Sequence, residues 1–137
     1  MDESQQALFE GFKGPEKEPE TPISGTISGL LRPILIKDGV VFKRFTHEVF
    51  SILPILADVF NAYGKDCIIT SANDGIHKVN SKHYLDLALD IRTKHLLDSI
   101  QKHQVYEALK KRLGNQYVVL LEKLGEPGEH IHIGYVA

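Results

Sequence analysis

From Leu85 onward apolar and polar residues alternate strictly: Leu85, Leu87, Leu89 and Ile91 point one way, and Asp86, Ala88, Asp90 and Arg92 point the other. A period of two predicts a half-buried strand over 85–92, with a core on the leucine side. Its second face carries two carboxylates, a guanidinium and one small side chain. That leaves room beside Asp90 for an ion or a substrate, although a solvated sheet face has the same pattern. His130-Ile131-His132-Ile133 alternates as well, which places both imidazoles on one side of a strand and Ile131, Ile133 and Tyr135 on the other. Cys67 to Thr70 and Tyr117 to Glu122 are apolar runs of strand length.

Elsewhere the period becomes helical. Val49, Phe50, Leu53, Ala57 and Phe60 are spaced for one buried helix face, after Thr46 as N-cap and before Gly64. Pro54 falls inside this helix and is expected to bend it or remove one of its hydrogen bonds. Thr93 is placed to cap a second helix ending at Leu113, with Leu96, Leu97, Ile100, Val105, Leu109 and Leu113 on its apolar side. Lys110, Lys111 and Arg112 suit the negative end of its dipole, and Gly114 follows. Ile27 to Phe45 reads as short strands and turns, with a turn signal at Lys37-Asp38-Gly39. The order of elements predicts an α+β domain over 26–137, an antiparallel sheet with helices packed on one face.

Composition narrows this picture only a little. A chain of 137 residues is one domain by size, and its net charge of −2 gives no reason to expect nucleic acid or an anionic membrane as the main partner. The single cysteine, Cys67, opens an apolar run and is expected in the core rather than as a nucleophile. Residues 1–25 hold six acidic against two basic residues and three prolines, and read as an extended or disordered acidic arm. Leu8, Phe9 and Phe12 could form a short docking segment there. No positively charged start followed by an apolar core is present, so no signal peptide is expected, and no apolar run approaches a membrane span.

The candidate chemistry lies in two segments. His83 precedes Asp90 by seven residues, an odd interval, so both reach one ion only if the backbone turns or bulges between them. Asp86 stands in that interval and tolerates the left-handed conformation. His132 supplies a third candidate ligand, and an H-x-H strand is a common metal-site device. Glu129, which forms E-x-x-H with His132, and Glu122, at the end of an apolar run, are both candidate general bases. His95 and His103 read as exposed helix residues.

The segment D-G-x-H-x-x-x-S-x-H-Y-x-x-x-A-x-D-I, Asp74 to Ile91, followed by H-x-H, resembles the zinc D-Ala-D-Ala carboxypeptidase and L-alanyl-D-glutamate peptidase family, which shares its fold with the hedgehog signalling domain. The likeness runs from about Phe42 to Tyr135. It implies Zn2+ held by His83, Asp90 and His132, with Glu129 taking the proton of a metal-bound water and Glu122 as the rival base. His130 and His77 match histidines that line the site in hedgehog-like members. The family usually has Gly where this chain has Asp86, and often an Arg before the first ligand to hold a substrate carboxylate. None lies between Ile68 and His83, which leaves Lys78, Lys82 or Arg92 for that role. The resemblance implies hydrolysis of peptidoglycan stem peptides by a small phage-type enzyme, made in the cytoplasm and acting at the cell wall after release or carried in a virion. In that setting the acidic arm would meet virion proteins. The alternative is a zinc-bearing binding or structural module on the same fold.

Overall fold

The computed structural model describes residues 32–74 and 81–136. The expected boundary near residue 25, and the arm before it, lie outside them. In chain order the elements are β1 (Ile34–Ile36), α1 (His47–Phe50), α2 (Leu53–Ala62), β2 (Cys67–Ser71), a 3₁₀ turn (Lys82–Leu85), β3 (Ala88–Arg92), α3 (Ser99–Leu113), β4 (Tyr117–Glu122) and β5 (His130–Tyr135). Together they form a mixed α+β domain.

Five strands make one sheet in the order β1-β2-β3-β5-β4. The pairs β2–β3, β3–β5 and β5–β4 are antiparallel. β1 departs from the expected wholly antiparallel sheet: it pairs parallel with β2, Ile34 opposite Cys67, so the sheet is mixed at one edge. The chain can return in parallel because α1 and α2 carry it back across the sheet between the two strands.

One face of this sheet is the core. Ile69, Leu89, Ile91, Val119, Ile131 and Ile133 project from four strands against Leu56, Val59 and Phe60 of α2 and Val105, Leu109 and Leu113 of α3. A fully buried side chain of this size contributes about 1.5–3 kcal/mol. Cys67 belongs to the same core, and burial pushes its thiol pKa up to about 12, so it is a packing residue with no thiolate to offer.

Three local expectations change. The first helix is two: Thr46 caps α1 by accepting from the Val49 N–H, the chain breaks after Phe50, and Pro54 sits in the first turn of α2, where its missing N–H costs nothing. Asp98, not Thr93, caps α3, its side chain accepting from the Gln101 N–H. Leu97 and Ile100 therefore lie outside the buried stripe and are exposed. The predicted strand over 85–92 begins only at Ala88, since its first residues are taken by the 3₁₀ turn and the bend after it. No helix among the described residues is long and apolar enough to cross a membrane.

Candidate metal centre

His83 and Asp90 reach the same point because the backbone reverses between them. Asp86 adopts the left-handed conformation, φ 58° and ψ 33°, and its N–H bonds back to the His83 carbonyl. Ser81 fixes the start of the turn by accepting from the His83 N–H at 3.2 Å. The Asp86 carboxylate is buried and accepts from Arg44 Nε at 2.9 Å and Asn73 Nδ2 at 2.6 Å, while its carbonyl accepts from Thr46 Oγ1 at 2.7 Å. Burial raises the Asp86 pKa, but the bonds from Arg44 and Asn73 and the charges of Arg44 and Lys43 outweigh it, and the net shift is downward. A conformation that glycine adopts freely is thus held here by a residue anchored at three points, two on its carboxylate and one on its carbonyl.

The sheet register brings in the rest. Asp90 of β3 pairs with His132 of β5, and the next row across the same face is Arg92, His130 and Glu122 of β4. His83 Nε2 lies 3.1 Å from Asp90 Oδ1 and 3.3 Å from His132 Nδ1, and those two atoms are 3.0 Å apart. Ligands about 2.0 Å from a tetrahedral ion stand about 3.3 Å from one another, so the three atoms have the spacing of three corners of such a site. His83, Asp90 and His132 form a cluster able to chelate a divalent metal ion.

The donor balance argues the same way. His83 Nδ1 lies 2.6 Å from the Ala72 carbonyl, which can only accept, so the proton is on Nδ1 and Nε2 presents a lone pair. Burial raises the Asp90 pKa, yet contacts with His132 and His83 and the charges of His83 and His130 hold it well below the usual carboxylate range. In the neutral form in which imidazole ligates a metal, the three converging atoms share at most one proton, and a cation could take the place between them. Gly134 keeps space for the His132 ring, because a Cβ there would meet Nε2 at 3.1 Å.

The two candidate bases flank the β4–β5 connection, Glu122 at the end of β4 and Glu129 just before β5. Glu122 Oε1 lies 2.9 Å from His130 Nε2, which is itself 3.8 Å from Asp90 Oδ1 and has its Nδ1 2.7 Å from the Gly128 carbonyl. Glu129 is buried and fully engaged: its carboxylate accepts from Thr93 Oγ1, from Lys102 Nζ at 3.0 Å and from the Gly125 N–H at 2.9 Å. Burial raises its pKa, but these three donors and the Lys102 charge outweigh it and the net direction is down. Glu129 stands just before β5 and lines the same pocket as Asp90 and His130, while Glu122 is brought to His130.

Arg92 lines a pocket of about 270 Å³ together with Lys37, Asp90, Lys94, Glu129 and His130. His77 and Lys78 lie outside the described residues. His95 is not the exposed helix residue expected: half-buried ahead of α3, it stacks on Phe60 and has Nε2 2.6 Å from the Asp66 carbonyl. His103 is exposed on α3. Sequence reasoning missed Arg44 and Asn73 as anchors of the turn, and Lys37 and Lys94 as pocket residues. For Arg44 and Asn73 the available signal was Asp86 itself, a charge set between apolar neighbours and in need of partners.

No family model matches the chain. Neither a curated protein nor a solved structure matches it. The chain contains no H-E-x-x-H segment.

Proposed function

We propose that this domain is a zinc-bearing module in which His83 Nε2, Asp90 Oδ1 and His132 Nδ1 hold the ion. One observation carries the reading: three potential ligand atoms, from three separate elements, converge within 3.3 Å of one another. Two nitrogens and one oxygen suit zinc better than the hard cations, which favour all-oxygen sites. Its resemblance in sequence to zinc peptidases and the hedgehog domain supports the same choice. The test is metal content: protein purified without added metal, then exposed to equimolar zinc, calcium or magnesium and desalted, should retain about one zinc per chain and neither of the others. Absence of retained zinc would end this reading.

A second reading, hydrolysis of peptidoglycan stem peptides, is favoured by the Glu122–His130 pair beside Asp90. Three protein ligands leave a tetrahedral ion one open position, and zinc so held supplies Lewis acidity and a bound water with a pKa of about 7. Glu122, through its contact with His130, is then the carboxylate that receives the proton of the attacking water and returns it to the leaving amine. Glu129, whose carboxylate already accepts from Thr93, Lys102 and the Gly125 N–H, is the rival base from the wall of the same pocket. Release of peptide fragments from purified peptidoglycan, abolished by a chelator, would establish this reading and make the chain an enzyme acting at the cell wall. Stoichiometric zinc without release from any wall type leaves the binding module, including one carried on a virion and docked through the acidic arm.

A further inference from the structure

Asp86 stands in an unfavourable place. Among the described residues it is one of two other than glycine with a positive φ, the second being Lys123, and its carboxylate is buried. A left-handed backbone at a residue with a Cβ lowers the population of such a turn on the order of tenfold. Other contacts must restore that population, because His83 reaches Asp90 and His132 only while the chain is reversed between them.

The restoring contacts come from two directions. Arg44 spans the turn with two donors, Nε to the Asp86 carboxylate at 2.9 Å and Nη2 to the Leu85 carbonyl at 3.2 Å. Thr46 Oγ1 donates to the Asp86 carbonyl at 2.7 Å and accepts from the Val49 N–H, so the start of α1 is tied to the same turn. From the other direction Asn73 Nδ2 donates to Asp86 Oδ1 at 2.6 Å, beside Ala72, whose carbonyl accepts from His83 Nδ1. The Asn73 N–H donates to the Val41 carbonyl at 2.7 Å, which closes the circuit back to the segment carrying Arg44. Arg44 differs from the rest of this circuit in lying at the surface: its side chain is 67% exposed, against 7% for Asp86.

We propose that Arg44 is a positioning residue for the metal centre, which with Asn73 holds Asp86 in the left-handed conformation that aims His83 at Asp90 and His132. The three side chains replace the conformational freedom that a glycine alone would supply at position 86. Removing Arg44 leaves a buried carboxylate short of a donor, and that is worse for the turn than removing the carboxylate as well. The influence of Arg44 therefore ends at Asp86. Its effect on the ion rests on the metal-site reading, whereas its effect on the turn does not.

The test is a double-mutant cycle of Arg44→Ala and Asp86→Gly with two readings for every variant. One is zinc affinity, by competition with a chromogenic chelator. The other is protection from hydrogen exchange at the amides of positions 86 and 87, whose bonds to the His83 and Lys82 carbonyls form only in the closed turn. Arg44→Ala alone should weaken zinc binding about tenfold and reduce protection at both amides by a similar factor. Asp86→Gly should stay within about threefold of wild type, and adding Arg44→Ala to it should change neither reading. Arg44→Lys keeps the charge and loses the fork; it should fall between, and it guards against a general folding defect in Arg44→Ala. Wild-type zinc affinity and protection in Arg44→Ala, equal losses with and without Asp86→Gly, or an Asp86→Gly variant weaker than Arg44→Ala would each overturn the proposal. A wild-type protein that retains no zinc would defeat the metal reading, and protection at the two amides would still decide whether Arg44 holds the turn.

Discussion

Asp90, half-buried on β3, and Glu129, buried just before β5, are two carboxylates in contrasting surroundings. Around Glu129 the donors match the acceptors: a hydroxyl, an ammonium and a backbone N–H point at its oxygens. Around Asp90 two imidazole nitrogens converge on one carboxylate oxygen, at 3.1 and 3.0 Å. Both groups have lowered pKa values, so acidity alone does not tell them apart. What separates them is their partners: Glu129 is met by three donors, whereas Asp90 belongs to a cluster able to take up a cation.

The largest effect expected from this contrast is on metal affinity. His83→Ala, Asp90→Asn or His132→Ala should each weaken zinc binding by about a thousandfold, or about 4 kcal/mol, in a competition titration against a chromogenic chelator. Unchanged zinc affinity in any two of them would break the ligand assignment. Glu129→Ala should do the reverse: it strands Lys102, so chemical denaturation should show a loss of about 3 kcal/mol while zinc stoichiometry stays at one. If instead Glu129→Ala keeps its stability and abolishes peptide release, the base belongs at Glu129 after all. Glu122→Gln is expected to keep both fold and zinc and to remove whatever hydrolysis the wild type shows.

A smaller effect separates the two carboxylates by pH. The folded-state pKa of Glu129 is depressed, so its contribution to stability is fully present above the ordinary carboxylate value of about 4.3 and is lost as pH falls through the lowered one. Glu129→Gln should therefore be less stable than wild type at neutral pH by about 1–3 kcal/mol, with the gap closing below about pH 4. A gap that stays constant down to pH 2 would show that packing, not charge, is what the glutamate supplies. The smallest effect is at the turn: Asp86→Ala loses the anchors and keeps a left-handed backbone, for a cost of about 1–2 kcal/mol and a zinc affinity reduced severalfold.

How much of this was legible in the sequence depends on the range of the forces involved. Leu89 and Ile91 against Asp90 and Arg92, and Ile131 and Ile133 against His130 and His132, declare their faces through a period of two, and the structure keeps both patterns. The left-handed Asp86 followed from an odd interval that had to be bridged. For Glu129 the E-x-x-H spacing carried no information on its partners, since Lys102 and Thr93 reach it from 27 and 36 positions away. The choice between Thr93 and Asp98 as cap could not be made locally. Both are good N-cap residues, and Thr93 is drawn off because a buried carboxylate more than thirty positions away needs its hydroxyl. The parallel pairing of β1 is likewise a long-range matter that three residues cannot announce.

The strand order carries a further consequence, for the time course of folding. β5 lies between β3 and β4, so these two consecutive strands never touch in the sheet, and the gap between them stays open until the last strand inserts. That same insertion delivers His132 to Asp90 and His83, across 42 and 49 positions of chain. Loop closures of this length form slowly, and no partial sheet lacking β5 can assemble the cluster. Any ion this cluster takes up would thus be captured late and report a finished domain, each tenfold excess of the free ion over its dissociation constant adding about 1.4 kcal/mol against reopening.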